Sequence, residues 1–420
     1  MKHSSAFLAA LLILGSSVLA VQNSHGSDDG RGLHRQADKD SVTISGVSSG
    51  AAMAVQYAVA NSASIAGVGT IAGPAWGCAG GKFSTALDGC MCGRQAVDSR
   101  FSDAVKMAHG GALEMFDAMD PHTGKPKALL RSYVFHSPAD ITVVKESGQT
   151  SSRFLRDFTG QSPKEDRGNK SDHSNQAGHG ILSPYGTDSC PVNGKETSYV
   201  RNCRKHDNAG RLFRELYGKV SPEKSRMKMP GTIFEVWEFN QQALIDEMRK
   251  DPRTNPIVAS DMYPPPQHSE QRKNFDLAGT GYLYVPSACR SGQRQCRVHI
   301  ALHGCKQDPR TFAVQAGYNY WAEKYDVIVV YPAVQAYRPK DLDESQICRI
   351  SKQWTPDEWK IFDASWAEAN YNGCWDWWGY LDLGDENLEG TKTRYLTKQG
   401  PQMQVIKKII DAVTLPARQG

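Results

Sequence analysis

The chain has 420 residues, of which 40% are hydrophobic and 22% are charged, so it can bury a large core and bulk disorder is excluded. Its 49 basic and 45 acidic residues leave a net charge of +4, which gives no argument for a nucleic-acid partner or an anionic membrane surface. After the N-terminal region, no stretch approaches the roughly 18 apolar residues that a membrane-spanning helix needs.

The N-terminus has the pattern of a secretory signal peptide. Lys2 precedes the apolar run 6–14, and small residues follow up to Ala20. A basic start, a short apolar centre and a small-residue ending are typical of an exported leader, and the run is too short to span a bilayer. The alternative is a buried N-terminal helix. We predict a signal peptide over residues 1–20, secretion to the medium or the periplasm, and a flexible segment over residues 21–40.

Predicted strands alternate with predicted helices along the rest of the chain. Short β-rich or apolar runs predict strands at 42–44, 65–71, 131–136, 283–285, 298–303 and 327–331. Helical spacing predicts helices at 51–60, 318–325 and 401–413. The strands at 283–285 and 298–303 are expected to pair with each other. This alternation predicts an α/β fold with a mostly parallel central sheet and helices on both faces.

Two stretches have the composition of exposed connections. Residues 145–178 are polar and rich in Gly and Ser, which predicts a long surface loop. Residues 253–275 are rich in Pro and charge, which favours a surface insertion.

All ten cysteines follow the predicted leader. An even number of cysteines in an exported chain favours disulfides. Two local pairs are predicted: Cys190 with Cys203, and Cys289 with Cys296. Cys90 and Cys92 cannot both pair with Cys78, so one of them needs a distant partner. The cysteine and histidine spacing does not match a zinc site, so no metal is predicted.

A candidate nucleophile lies between the first predicted strand and helix. Gly46, Ser48 and Gly50 form a Gly-x-Ser-x-Gly pattern in the strand–turn–helix context of a nucleophile elbow. The glycines permit a tight turn that presents the Ser48 hydroxyl, and the Ser49 amide then lies at a helix N-terminus, where it can stabilise an oxyanion. The alternative is an ordinary glycine-rich turn.

A serine nucleophile needs an imidazole as base and a carboxylate to orient it. Asp140 follows the strand at 131–136, where an α/β-hydrolase carries its acid, although an Asp that caps a turn fits equally well. His179 lies in a later glycine-containing loop, and the order Ser, Asp, His favours it as the base. His173 has a solvated context, and Asp172 and Asp188 are weaker candidates for the acid.

A strand that ends at His303-Gly304-Cys305 is similar to the oxyanion loop of α/β-hydrolases. That loop ordinarily precedes the nucleophile, whereas here it follows the predicted triad. A circular permutation accounts for the changed order. A plain strand-to-turn exit is the alternative.

Residues 370–380 contain a dense aromatic cluster that includes Trp375, Trp377 and Trp378. The three indoles follow neither strand nor helix periodicity, so we predict a loop that displays its rings to a ligand. Burial in the core is the alternative, and a sugar site would use the same residues.

Together these segments resemble the extracellular poly(3-hydroxybutyrate) depolymerases of the circularly permuted α/β-hydrolase type. The resemblance extends over about residues 41–413 and is carried by the following segments: 46–50, 137–140, 178–180, 190–203, 282–286, 302–307, 316–319 and 373–380. The His-Gly-Cys and Cys-Trp-Asp-Trp-Trp-Gly-Tyr segments are the most specific.

The resemblance implies a role for each matching residue. Ser48 is the nucleophile, His179 the base and Asp140 the acid that orients it. The amides of Ser49 and Cys305 form the oxyanion hole. Two further implications concern the aromatic segment: the residues near the polymer-binding crevice include Trp375, Trp377 and Trp378, and Cys305 pairs with Cys374. Cys348 is left for Cys78, Cys90 or Cys92.

The predicted function is cleavage of ester bonds in poly(3-hydroxybutyrate) or a related polyester, with a polyester or oligoester as partner and no cofactor. We predict one catalytic domain over residues 41–415, with insertions near 145–178, 219–276 and 336–368 that depart from the family pattern. The alternatives are an esterase for feruloyl or acetyl groups of plant polysaccharide, and a secreted polymer-binding module without activity.

Overall fold

A mostly parallel sheet forms the centre of the computed structural model. The structure describes residues 31–33, 35, 37–94, 116–129, 131–191, 197–251, 275–290, 295–336, 344–366, 370–381 and 391–414. The predicted signal peptide and residues 253–274 of the predicted insertion lie outside these ranges.

The strands and helices of the described residues alternate along most of the chain. The strands are β1 (Thr43–Val47), β2 (Gly67–Ile71), β3 (Arg131–Phe135), β4 (Lys164–Asp166), β5 (Ile181–Leu182), β6 (Asp188–Ser189), β7 (Val200–Asn202), β8 (Trp237–Asn240), β9 (Thr280–Tyr284), β10 (Arg297–Leu302) and β11 (Val327–Tyr331). The helices are α1 (Ser49–Ala60), α2 (Lys145–Thr159), α3 (Asn208–Tyr217), α4 (Pro222–Arg226), α5 (Gln241–Lys250), α6 (Pro309–Gln315), α7 (Tyr318–Tyr325), α8 (Glu344–Ile350), α9 (Pro356–Trp366) and α10 (Pro401–Thr414). A π-helical segment covers Thr85–Met91.

Among the described residues, the large sheet has eight strands in the order β4–β3–β2–β1–β10–β11–β9–β8. The strands from β4 to β11 run parallel, and β9 and β8 are added antiparallel at one edge. β5, β7 and β6 form a small separate sheet. The predicted α/β-hydrolase architecture is confirmed.

The predicted pairing of β9 with β10 is wrong. The connection from β10 to β11 passes through α6 and α7, which places β11 parallel beside β10. Because β1 occupies the other edge of β10, β9 pairs with β11 instead.

Apolar side chains cover both faces of the sheet. β11 has the sequence Val-Ile-Val-Val-Tyr and is buried along its whole length, as expected for a central parallel strand. The core on one face includes residues of α1, α2 and α10, and the core on the other includes residues of α3, α6 and α7.

The predicted loop at 145–178 is wrong over its first half, which is the helix α2. Phe154, Leu155 and Phe158 are buried on one side of this helix. The small residues that suggested a loop are needed for close packing, since a Cβ added at Gly148 would lie 2.3 Å from Cγ of His136.

Two described residues of the predicted flexible segment 21–40 lie in the core. Leu33 and Ala37 are fully or almost fully buried. The Ala37 amide donates to the Val413 carbonyl of α10 at 3.1 Å, and the Asp38 amide donates to the Cys296 carbonyl at 2.8 Å. Leu33, Ala37 and the Asp38 backbone therefore contact the domain, whereas the side chains of Lys39 and Asp40 are exposed.

Every cysteine forms a disulfide. The bonds are Cys78–Cys90, Cys92–Cys348, Cys190–Cys203, Cys289–Cys296 and Cys305–Cys374. The predicted local pairs and the pair implied by the resemblance are confirmed. Cys92 is the residue of the Cys90/Cys92 pair that takes a distant partner, and its bond ties α8 to the π-helical segment.

Candidate active site

The turn between β1 and α1 presents Ser48. Its φ is +55°, a left-handed conformation that is uncommon for a residue with a side chain, and its side chain is half-buried. The turn requires glycine at two positions. A Cβ at Gly46 would lie 2.2 Å from the backbone of Gly50, and a Cβ at Gly50 would lie 2.4 Å from the His303 carbonyl oxygen. These contacts give the geometry expected for a nucleophile elbow.

Asp140 follows β3 and is buried. One carboxylate oxygen, Oδ1, accepts hydrogen bonds from the amides of Thr142 at 2.9 Å and Val143 at 3.0 Å, and Oδ2 lies 2.8 Å from Nδ1 of His179. Burial alone would raise the pKa of Asp140, but the His179 ring and these donors outweigh it and hold the pKa below its ordinary value. The carboxylate is thus ionised at neutral pH and can accept a hydrogen bond from Nδ1–H of His179.

His179 lies just before β5, and its backbone is fixed by the small sheet. Its carbonyl oxygen accepts a hydrogen bond from Nε of Arg201 at 2.7 Å, and Arg201 is fully buried. The ring of Tyr199 meets the imidazole edge to face at 6.1 Å, and Tyr199 also has a positive φ of 53°. Tyr199, with its positive φ, and buried Arg201 therefore hold His179 in place, and the sequence motifs point to neither of them.

The other candidate acids have different partners. Asp172 accepts from the Ser174 amide at 3.0 Å and also bonds its hydroxyl, and it lies 3.4 Å from Nδ1 of His206. Asp188 accepts from the amides of residues 197, 198 and 199. Both carboxylates organise loops around His179, whereas Asp140 contacts its ring.

The carboxyl ends of β1, β3 and β10 lie at the same edge of the sheet because the three strands run parallel. This edge therefore carries Ser48, Asp140 and the predicted oxyanion loop, residues 303–307. A Cβ added at Gly304 would lie 3.2 Å from Cβ of Ser48, so this loop packs against the nucleophile turn. Gln307 links this loop to the segment that precedes β7. Its Oε1 accepts a hydrogen bond from the Gly304 amide at 2.6 Å, and its Nε2 donates to the Ser198 carbonyl at 2.8 Å.

Two amides at this edge donate to no acceptor among the residues that the structure describes. Ser49 is the first residue of α1, so its N–H has no partner within the helix. In the oxyanion loop, the amides of Gly304, Lys306 and Gln307 all donate to protein acceptors. Within the part of the chain that the structure describes, the Cys305 amide donates to none. The amides of Ser49 and Cys305 are thus available for a ligand oxygen.

The prediction of a loop that displays Trp375, Trp377 and Trp378 is wrong, because all three indoles are buried. Trp375 supports the site from behind: its Nε1 donates to the His303 carbonyl at 3.0 Å, and its amide donates to Oγ of Ser49 at 3.3 Å. Burying the large apolar area of an indole ring stabilises the fold, and these rings lie in the core although their spacing matches neither a strand nor a helix.

The described residues contain no cluster of side chains suited to a metal ion. Their helices also include none long and apolar enough to cross a bilayer.

Comparisons with known proteins find poly(3-hydroxybutyrate) depolymerases. The chain is 27% identical over 384 residues to the poly(3-hydroxybutyrate) depolymerase of Delftia acidovorans, a match that covers 90% of this chain and 60% of that protein. It is 26% identical over 380 residues to the polyhydroxybutyrate depolymerase of Talaromyces funiculosus, covering 87% of this chain and 89% of that one. No family model matches the chain.

Solved structures of this kind share the fold. A PHB depolymerase variant complexed with an R3HB trimer has a TM-score of 0.62 and 22% identity, and the match covers 91% of this chain and 98% of that one. The crystal structure of the PHB depolymerase from Penicillium funiculosum has a TM-score of 0.61 with the same identity and coverage. The resemblance inferred from the sequence motifs is thus confirmed over most of the chain.

Proposed function

We propose that the chain is a secreted serine hydrolase that cleaves the ester bonds of poly(3-hydroxybutyrate) or a related polyester through an acyl-enzyme. The observation that carries the proposal is the buried Asp140–His179 hydrogen bond of 2.8 Å, at the sheet edge that also presents the strained Ser48. The relatives named as depolymerases support the polyester as substrate.

Each proposed residue has a defined part in the reaction. Asp140 accepts a hydrogen bond from the Nδ1–H of His179, so the other ring nitrogen, Nε2, is left to take the Ser48 proton as the hydroxyl attacks the ester carbonyl. The amides of Ser49 and Cys305 stabilise the resulting oxyanion. His179 then protonates the leaving hydroxyl, and a water molecule, activated by the same ring, hydrolyses the acyl-enzyme.

The proposed contribution of the tryptophans is indirect. Buried Trp375 bonds both the oxyanion loop and Ser49, so it sets the shape of the crevice without offering an exposed face. Trp377 and Trp378 lie in the same buried segment and support the crevice wall. The surface that adsorbs a solid polymer is then formed by other residues of the domain.

The test is clearing of poly(3-hydroxybutyrate) films by the purified mature chain and by its Ser48→Ala variant. The proposal expects clearing by the parent and a loss of about 10⁴-fold or more in the variant, with an unchanged circular dichroism spectrum. An organophosphonate probe should label Ser48. Release of feruloyl or acetyl groups without clearing would favour the plant-polysaccharide esterase, and film binding that survives Ser48→Ala without any turnover would favour the binding module.

Export is tested separately, by N-terminal sequencing of the protein recovered from the medium and the periplasm. The expected first residue is Val21. A chain retained inside the cell with Met1 intact would contradict secretion.

A further inference from the structure

The histidine at which the oxyanion loop begins has a further role, which rests on the proposed function. His303 is almost fully buried, and both of its ring nitrogens have backbone partners. Nδ1 lies 2.8 Å from the Gly304 carbonyl oxygen, and the Val334 amide donates to Nε2 at 3.1 Å. The Ser48, His179 and Asp140 chemistry makes no use of this ring.

The two partners of His303 require the same form of the imidazole. A carbonyl oxygen can only accept, so Nδ1 carries a proton, and an amide N–H can only donate, so Nε2 carries none. The ring is therefore neutral and has its proton on Nδ1, because both hydrogen-bond partners require this tautomer. Burial is consistent with this, since it lowers the pKa of His303 to about 4.

The carbonyl that His303 holds belongs to the peptide bond between Gly304 and Cys305. In a trans peptide, the C=O and N–H groups point in opposite directions within one plane. Fixing the Gly304 oxygen therefore also fixes the direction of the Cys305 N–H. Gly304 has no side chain to restrict its own backbone, so this peptide needs an external restraint.

The other hydrogen bonds of the loop do little to fix the orientation of the Gly304–Cys305 peptide. Gln307 holds the Gly304 amide, and the Lys306 amide donates to the Asn372 carbonyl at 2.7 Å. Among the described residues, the Gly304 oxygen accepts one further hydrogen bond, a long 3.4 Å bond from the Gln307 amide. The imidazole itself is held between Trp375 and Phe312, with ring centroids at 6.0 and 6.4 Å.

We infer that His303 is a positioning residue, whose Nδ1–H holds the Gly304 carbonyl so that the Cys305 N–H is directed at the oxyanion formed on the ester attacked by Ser48. Such a residue acts on the transition state, because the oxygen gains its negative charge only there. Its loss should lower kcat and leave KM nearly unchanged.

The experiment compares three substitutions with different hydrogen-bonding capacity. His303→Phe keeps a ring between Trp375 and Phe312 but removes both nitrogens. In His303→Asn the side-chain amide occupies the place of Nδ1 and can donate to the Gly304 carbonyl, whereas in His303→Gln it reaches the place of Nε2. Phe213→Leu serves as a packing control, since Phe213 is fully buried on α3 and its ring packs against Tyr217 and Tyr325 instead of His303.

The readouts are kcat and KM on p-nitrophenyl butyrate, the inhibition constant of a boronic acid that forms a tetrahedral adduct with the nucleophile, and the melting temperature. We expect His303→Phe and His303→Gln to lose about 10- to 100-fold in kcat, with a parallel weakening of the boronic acid and little change in KM. His303→Asn should recover most of kcat. Phe213→Leu should lower the melting temperature but keep kcat.

The outcomes separate this inference from the proposed function. A folded His303→Phe with parental kcat, or equal kcat for the Asn and Gln variants, would overturn the positioning role while Ser48→Ala still abolishes turnover. If His303→Phe does not fold, the difference in kcat between His303→Asn and His303→Gln tests the positioning role. Turnover that survives Ser48→Ala would overturn the hydrolase assignment, and the inference with it.

Discussion

Asp140 and His179 are 39 residues apart in the chain, yet a 2.8 Å hydrogen bond joins Oδ2 of one to Nδ1 of the other. Two different sheets hold them, since Asp140 follows β3 of the large sheet and His179 enters β5 of the small one. Both side chains are almost fully excluded from solvent, at 1% and 6% exposure. A carboxylate–imidazole pair this well buried is arranged to fix the ring's tautomer and orientation.

The first prediction concerns the charge of Asp140. In Asp140→Asn the side chain can still contact Nδ1, but it no longer requires a proton there and cannot stabilise an imidazolium. We expect kcat on p-nitrophenyl butyrate to fall by about 10³- to 10⁴-fold, with a small change in KM. The control is Asp172→Asn, which removes a carboxylate that bonds Ser174 instead of the base. Equal losses in the two variants would contradict the assignment of the acid.

The second prediction concerns acid stability. Burial of Asp172 would raise its pKa, but the Ser174 donors and the nearby His206 outweigh this and lower the pKa to about 2. Because the unfolded value is about 3.9, Asp172 stabilises the fold fully above about pH 4 and loses this contribution as the pH falls towards 2. Denaturation by urea should show Asp172→Asn less stable than the parent at pH 6, and the difference should shrink at pH 2.5. A difference that grows on acidification would contradict the prediction.

The third prediction concerns the disulfide Cys305–Cys374, which joins the oxyanion loop to the tryptophan segment. Its partners are 69 residues apart, against 7 for Cys289–Cys296. Loop-closure entropy gives losses of about 4 and about 2 kcal/mol for the two double Cys→Ala variants. Only the first should also lower kcat, since only it releases the Cys305 amide. If the two variants differ in stability but both keep the parental kcat, the other contacts of the loop are sufficient to hold the Cys305 amide, and this prediction is wrong.

Most of the site could be predicted because each part has a local signature. Gly46, Ser48 and Gly50 mark the turn by themselves, and Asp140 follows a strand whose apolar residues are contiguous. The position of His303-Gly304 after the predicted triad could be interpreted only by comparison with the usual order of loops in α/β-hydrolases. The parallel pairing of β1 with β10 accounts for it in the structure.

The failures arose where tertiary packing decides between local alternatives. Helix α2 contains three Ser and one Gly. These small residues suggest a loop, but Gly148 is needed where the helix approaches His136. The Trp375 environment is set by acceptors from distant segments, which periodicity cannot reveal. Arg201 gave no signal at all, because a buried arginine that binds carbonyl groups has the same local sequence as an exposed one.

The last prediction tests the close contact between the nucleophile turn and the oxyanion loop. Helix propensity favours Ala over Gly by about 1 kcal/mol, so Gly50→Ala in the first turn of α1 should be stabilising if only local structure mattered. The structure predicts the opposite sign, because the added Cβ would lie 2.4 Å from the carbonyl oxygens of Leu302 and His303. We expect a loss of about 3 kcal/mol in the free energy of unfolding, together with a lower kcat as the loop is pushed away from Ser48.

The matched control for Gly50→Ala is Gly279→Ala, where a Cβ would meet nothing within 4 Å. It should change the free energy of unfolding by less than about 0.5 kcal/mol and leave kcat intact. Urea denaturation and the p-nitrophenyl butyrate assay measure both effects. A Gly50→Ala variant as stable and active as the control would mean that β10 and α1 do not approach as closely as the structure has them, and the shared edge that brings Ser48 to the Cys305 amide would lose its main support.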